Sequence, residues 1–234
     1  MTLEPIAYFK SPFTSKFGIP RQSGLVPELR GEIRFTEKYR RTEAVKGLEG
    51  FDYIWLIWGF SANQREPDAG WQPTVRPPRL GGNARLGVFA TRSPFRPNPL
   101  GLSSVRLERI DLDCADGPVI HVLGADLMDG TPIYDIKTYV PYADSHPEAA
   151  GGFTDAAGWA PLEVNIPEGL RAQLERHLGP DGLEALAGAL AQDPRPRYQD
   201  DPDRIYGMPF GGLDIHFKTE AGSLTVTGFE KNVL

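Results

Sequence analysis

The chain has 234 residues, a formal net charge of −6, 40% hydrophobic and 24% charged residues, the proportions of a globular protein and not of a disordered or fibrous one. A chain of this length buries roughly 70% of its unfolded surface, so its core needs no metal or disulfide, and the single cysteine, Cys114, allows neither an internal disulfide nor a cysteine zinc cage. The start, MTLEPIAYFK, lacks the apolar stretch of a secretory signal, and the longest apolar run, Tyr53 to Phe60, is far short of the ~20 residues that span a bilayer; a soluble, cytoplasmic protein is expected.

The first half reads as short strands. Pro5 to Phe9 is apolar, and Gly31 to Phe35 alternates Ile33 and Phe35 with Glu32 and Arg34. A short helix is predicted around Arg41 to Leu48. Tyr53 to Phe60 reads as a strand buried on both faces. Leu86 to Ala90, Ser103 to Ile110, Val119 to Leu123 and Ile133 to Val140 complete a set with turn residues between them. That pattern favours a mainly β fold, a barrel or sandwich, over a βαβ repeat. Residues 143–160 are small, polar and glycine-containing, as in a linker. Leu170, Leu174 and Leu178, then Leu183, Leu186 and Leu190, predict two helices, with Pro180 opening the second and Pro194 just past its end. Leu213 to Lys218 and Ser223 to Glu230 read as two strands joined by a turn at Ala221 and Gly222. The expected organisation is a β domain at 1–145 and a small α+β domain at 160–234.

Charge is distributed unevenly. Trp71 through Leu107 holds six arginines (Arg76, Arg79, Arg85, Arg92, Arg96 and Arg106) and no lysine or acid, which leaves −12 on the remainder (−6 minus +6). Pro5 to Pro27 is also free of acids and carries Lys10, Lys16 and Arg21. A basic zone on an acidic chain points to a local anionic ligand. Arginine forks grip phosphate or carboxylate through two contacts and stack on bases, which lysine does less well. The alternative is that these arginines pair with acids from elsewhere in the fold. The same zone carries the stretch Arg92-Ser93-Pro94-Phe95-Arg96-Pro97-Asn98-Pro99, and proline-stiffened loops lose little entropy on binding.

Asp129-Gly130-Thr131-Pro132, between two strand-like runs, carries the Asp-Gly signal of a hairpin turn and places a carboxylate and a hydroxyl at its tip, flanked by Asp126 and Asp135. Gln192-Asp193-Pro194-Arg195-Pro196-Arg197-Tyr198 reads as a helix stop, or as an RNA-backbone contact through Arg195 and Arg197 with Tyr198 available for stacking. The aromatics from Phe51 to Phe60 are read as core. No glycine fingerprint of a Rossmann site, no Walker loop and no nucleophile elbow occurs. The four histidines are dispersed without metal-ligand spacing.

Several of these segments together resemble the TsaA-like family of TrmO-type tRNA methyltransferases. They are Pro20-Arg21-Gln22 with Gly24 and Leu25, Gly47 to Phe51, TVRPPRLGGNARLGVFATRSPFRPNPLG ending at Gly101, Leu127 to Pro132 with Asp135-Ile136-Lys137, and Gln192 to Pro196. The resemblance implies a single-sheet β-barrel domain that binds S-adenosylmethionine without a Rossmann fold, a homodimer with the cofactor near the subunit interface, and a small C-terminal domain that holds tRNA. It implies N6-methylation of threonylcarbamoyl-adenosine at position 37 of a threonine tRNA. Carried over by motif, the cofactor site comprises Pro20, Arg21, Gln22, Arg92, Leu102, Asp129, Gly130, Thr131 and Pro132. RNA is assigned to Arg76, Arg79, Arg96, Lys137, Arg195 and Arg197, the proton-accepting role to Asp135 or Tyr139, and no metal is expected. Related sequences carry a His-Gln pair after the aromatic strand, where this chain has Ser61-Ala62-Asn63-Gln64, and a proline where it has Thr138. Two other readings compete: a non-catalytic RNA- or nucleotide-binding module, and an enzyme acting on a small anionic metabolite.

Overall fold

The computed structural model describes residues 2–62, 71–77, 80, 84–156, 160–195, 201 and 203–232. Six strands close into one antiparallel barrel: β1 (Ala7–Lys10), β2 (Arg30–Phe35), β3 (Tyr53–Gly59), β6 (Leu100–Asp111), β7 (Val119–Leu123) and β8 (Pro132–Thr138), in the order β1-β2-β7-β6-β3-β8. This is the expected single-sheet barrel. Closure removes the exposed edges that an open sheet would present. Between β3 and β6 a two-stranded ribbon forms from β4 (Thr74–Val75) and β5 (Leu86–Gly87).

Period-two alternation sends one side-chain set into the barrel. Phe9, Ile33, Ile54, Leu56, Val105, Ile120, Val122 and Ile133 fill it, each at most 1% exposed. Strand β3 is therefore buried on one face, not two. Ile54, Leu56 and Trp58 point inward, while Trp55 and Ile57 are half-covered and Tyr53 is exposed. The expectation failed because aromatics outnumber polar residues on both parities, which hides the alternation. Instead of a helix at 41–48, there are two short 3-10 turns, Thr42–Val45 and Leu48–Gly50. Leu86 to Ala90 is only half strand, since Val88–Ala90 coils into a 3-10 turn.

The 143–160 stretch contains two single-turn helices, of which α1 (Pro141–Asp144) begins before it and α2 is Phe153–Ala156. The C-terminal part is a four-stranded sheet, β10 (Tyr206–Phe210), β11 (Leu213–Glu220), β12 (Ser223–Lys231) and the parallel β9 (Glu163–Asn165), packed against α3 (Glu168–Ala191). The two predicted helices are the two halves of α3, broken at Gly179 (φ 73°), with Pro180 opening the second. Their leucines enter one core with Met208, Ile215, Phe217 and Val226. Phe13, Val26 and Leu29, which precede most of the barrel in the chain, belong to that same core. The 13–29 loop is thus pinned by the C-terminal part. Arg30 bridges the two parts as well, pairing with Glu108 on β6 and Asp181 on α3.

Candidate active site

The 13–29 loop delivers Pro20, Arg21 and Gln22 beside the loop that follows β5. The Arg92 guanidinium donates to Gln22 Oε1, and Gln22 Nε2 donates to the Arg21 carbonyl at 2.6 Å. Thr91 and Ser93 brace that second loop from within: the Thr91 hydroxyl donates to the Val88 carbonyl at 2.8 Å, and the Phe95 amide donates to Ser93 Oγ at 3.2 Å. Arg96 Nη1 donates to the Thr91 carbonyl at 3.2 Å. Arg96, assigned to RNA from sequence, therefore also helps hold the Arg92 backbone.

Asp126 lies close enough to Arg92 to feel its charge. Burial pushes its carboxyl above the ordinary range of a carboxylic acid. The Ser103 hydroxyl, its own and Ser23's backbone amides, and the Arg92 guanidinium pull in the opposite direction. Ser103, 1% exposed on the inner face of β6, donates to Asp126 Oδ1 at 2.5 Å and accepts from Trp58 Nε1 at 3.0 Å. Trp58, Ser103 and Asp126 form a chain of hydrogen bonds from the barrel interior to a carboxylate whose charge the Arg92 guanidinium favours, and each link polarises the next. Sequence reasoning named Asp126 only as a flank of the Asp-Gly turn and missed this chain. Its signal was available: a serine on the inward parity of an otherwise apolar strand.

Three residues past Asp126 the chain turns. The Thr131 amide donates to the Met128 carbonyl at 3.2 Å, with Gly130 at φ 75°, the geometry of a type II turn, whose third position favours glycine. The turn opens β8 and does not join two paired strands, so it is not the expected hairpin; its partners are the end of β1 and the segment after it. Asp129 and Gly130 amides donate to the Phe13 and Phe9 carbonyls, both at 2.8 Å, and Asp129 Oδ1 accepts from the Ser11 amide at 3.1 Å. Lys10 Nζ lies 3.4 Å from Asp129 Oδ2. Thr131 is 2% exposed.

Leu102, Asp135 and Lys137 share the outer face of the barrel. Across three strands Leu102 faces Ile57, which faces Asp135; in the next outward row Ser104 faces Trp55, which faces Lys137. Leu102 is 54% exposed. Lys137 Nζ lies 3.1 Å from Asp135 Oδ2, and Asp135 Oδ1 accepts from the Ile136 amide at 2.9 Å. Tyr139 stands just beyond, packed on Tyr53 and Trp55 at centroid distances of 6.0 and 5.7 Å.

The basic zone keeps its charge available. Arg30, Arg34, Arg40 and Arg109 all pair with carboxylates. Among the described residues, Arg76, Arg85, Arg92, Arg96 and Arg106 make no ion pair within 4 Å, and Arg76 is exposed. Arg195 spans Asp193 with two contacts, Nε at 2.8 Å and Nη2 at 3.1 Å, and is 14% exposed. That pairing fixes a backbone turn, which adds a structural role to the RNA contact expected of it. Arg79, Gln64, Arg197 and Tyr198 lie outside the described residues. Among the described residues no group of three or more metal-ligating side chains is gathered, and no helix is long and apolar enough to cross a membrane.

A closed antiparallel barrel carrying a pinned arginine beside a half-enclosed carboxylate, joined to a small α+β part, is a class apart from the doubly wound nucleotide-binding folds. The chain belongs to the TrmO family: the tRNA-methyltransferase O N-terminal domain matches residues 8–145, and the TrmO C-terminal domain matches 159–232. It is 41% identical over 226 residues to the Escherichia coli tRNA (adenine(37)-N6)-methyltransferase, covering 94% of each chain. It is 42% identical over 221 residues to a putative S-adenosylmethionine-dependent methyltransferase, RcsF, of Pseudomonas aeruginosa, covering 92% of this chain and 91% of the other. The crystal structure of TrmO from P. aeruginosa superposes with a TM-score of 0.79 at 34% identity, over 99% of this chain and 97% of that one.

Proposed function

We propose that this chain is an S-adenosylmethionine-dependent methyltransferase that N6-methylates threonylcarbamoyl-adenosine at position 37, next to the anticodon, of threonine tRNA. The observation that carries the reading is the meeting of Gln22, Arg92 and Asp126, from three segments apart in sequence, in a chain that matches the TrmO family over residues 8–145 and 159–232. The residues suit the cofactor. Arg92 and Arg21 offer guanidinium groups for a carboxylate, Gln22 and the Asp129 to Pro132 turn offer amides and a hydroxyl for the nucleoside, and Leu102 offers apolar surface. S-adenosylmethionine supplies an electrophilic methyl group when bound.

The protein's task is then alignment and proton removal. The acceptor nitrogen sits in a ureido group whose carbonyl draws off its lone pair, so it attacks only as its proton leaves. Asp135 takes that role, with Tyr139 four residues on as the alternative acceptor. Lys137, which already balances Asp135, or Arg92 holds the threonyl carboxylate. Holding donor and acceptor in line removes several kcal/mol of barrier. Arg76, Arg79 and Arg96 meet tRNA phosphates. A second copy of the chain covers the outer face carrying Leu102, Ile57 and Tyr53, which makes the enzyme a homodimer, and the cytoplasm, where tRNA resides, is its compartment.

The test is transfer of labelled methyl from S-adenosylmethionine to total tRNA, set beside tRNA lacking the threonylcarbamoyl group. Label in N6-methylated threonylcarbamoyl-adenosine, absent from the second tRNA, is the expected result. Cofactor binding without transfer to either tRNA overturns the reading.

A further inference from the structure

The Asp126 carboxylate sits in a frame of hydrogen bonds that gives it no cation. Its neighbours in the chain, Ala125 and Leu127, are 2% and 1% exposed. The segment is also fastened to the 13–29 loop: the Gly124 amide donates to the Leu29 carbonyl and the Gly124 carbonyl accepts from the Gly24 amide, both at 2.8 Å. That loop brings the Ser23 amide to the carboxylate, and β6 brings the Ser103 hydroxyl. Both are neutral donors. The other two carboxylates of the site are already matched, Asp129 at 3.4 Å from Lys10 Nζ and Asp135 at 3.1 Å from Lys137 Nζ. Among the described residues Asp126 makes no ion pair within 4 Å. The Arg92 guanidinium acts on it as a nearby charge, and its own hydrogen bond goes to Gln22.

For the protein alone that arrangement is costly. An ionised carboxylate loses hydration on burial, and neutral donors return only part of it. The residue is nonetheless partly open to solvent, so a ligand group can reach it. A cation arriving there replaces the lost hydration with a charge-assisted hydrogen bond, roughly twice as strong as a neutral one. Beside it stands a guanidinium, whose fork suits a carboxylate. The two protein charges are too far apart to neutralise each other. A ligand that carries an ammonium and a carboxylate on one carbon complements both, and the methionine end of S-adenosylmethionine is such a group.

We infer that Asp126 receives the α-ammonium group of the cofactor's methionine end, beside an Arg92 guanidinium that takes its carboxylate. This rests on the S-adenosylmethionine reading, and it leaves the nucleoside end to the Asp129 to Pro132 turn and the Leu102 surface. Ribose hydroxyls are the other donors that a carboxylate can accept from. They are neutral, like the donors Asp126 already has, and bring no charge to set against it.

The test is calorimetry on the full chain with three ligands: S-adenosylhomocysteine, its deamino analogue, which keeps the carboxylate and lacks the amine, and methylthioadenosine, which lacks the amino-acid end. Wild type is expected to bind the deamino analogue about 10–100-fold more weakly than S-adenosylhomocysteine, the worth of one hydrogen bond to a charged group. Asp126→Asn keeps the side-chain shape. It is expected to bind those two ligands about equally and methylthioadenosine as wild type does, which also shows that the variant is folded. A second measurement needs no variant. In wild type, carbon-13 NMR of the Asp126 carboxyl should show its titration moved to lower pH by S-adenosylhomocysteine and not by the deamino analogue. An amine penalty as large in Asp126→Asn as in wild type overturns the proposal, and so does a titration that both ligands move alike. Loss of methylthioadenosine affinity in folded Asp126→Asn gives the carboxylate to the ribose and overturns it as well. Wild type that binds none of the three removes the cofactor reading too, whereas wild type that binds S-adenosylhomocysteine and the deamino analogue alike removes this proposal alone.

Discussion

Ser103→Ala tests the chain that sets the Asp126 carboxylate. The serine hydroxyl has two tasks, accepting from the Trp58 indole and donating to Asp126. Trp58 is only 7% exposed, so the variant leaves an N–H with no partner, a loss of about 1–3 kcal/mol. Asp126 loses a hydroxyl donor, and a hydrogen bond to a charged group is worth about 1.5–3 kcal/mol. The residue is partly open to solvent, where water replaces some of that, so we expect a combined loss of about 2–4 kcal/mol where the carboxyl is ionised. The loss must depend on pH. In the wild-type protein the Asp126 carboxyl already titrates above its unfolded value of 3.8 because burial disfavours its charge. Losing the hydroxyl raises the folded value further. Between those two folded values the variant holds a proton that the wild type has lost, so the variant gains stability relative to wild type as pH falls through the window. Below both values the deficit shrinks to the indole contribution. Urea unfolding over a pH series running from above to below the folded-state titration, with midpoint and slope fitted at each pH, measures it. A Ser103→Ala deficit that is the same at both ends of the range refutes the link to Asp126.

Other expectations follow from the same geometry. Arg92→Ala removes the group held by Gln22 and should weaken S-adenosylmethionine binding about 10–100-fold by calorimetry, the worth of one hydrogen bond to a charged group; wild-type affinity would take Arg92 out of the site. Gly130→Ala meets no atom within 4 Å, so only the φ of 75° is strained; it should cost about 1–2 kcal/mol, a few degrees in a thermal melt, and no loss on melting would discard the type II turn. Methyl transfer to tRNA should fall steeply from about 50 to about 200 mM salt if the arginines without acid partners meet phosphates, and a flat response counts against that assignment.

Much of the barrel was legible because its strands obey one simple rule, apolar residues on one parity and polar or mixed residues on the other. Gly31 to Phe35 shows it plainly. The failures share a physical cause, which is that the deciding interaction is not local. Strand β10 contains Gly207 and Pro209, both poor strand formers; it is tolerated because β10 is an edge strand, where proline forfeits no ladder bond that a second neighbour would need. Strand β9 is three residues long and exists through its parallel pairing with β12, some sixty positions on. The two halves of α3 were visible as leucine repeats, and their junction as the proline. In the candidate site, Arg92 was suggested by its acid-free, proline-rich surroundings, and the Gln22 contact by family motif. The Trp58–Ser103–Asp126 chain was hidden because Trp58 looked like any core aromatic.

The placement of Phe13, Val26 and Leu29 in the C-terminal core explains how a loop of glycines and prolines can serve as a binding element. A loop with few backbone ladders of its own would pay the full entropy of ordering when a ligand arrived. Here that ordering is already done by folding. The loop is fastened at one end by Phe13 against Phe210 (centroids 5.2 Å apart), and at the other by Val26 and Leu29 under α3. In its middle, the Gly24 amide donates to the Gly124 carbonyl at 2.8 Å. The C-terminal part therefore bears on the candidate site even where it touches no ligand, because it holds Pro20, Arg21 and Gln22 within reach of Arg92. Two separately folding domains joined by a linker could not do this. The shared core makes the second part a structural member of the first part's site.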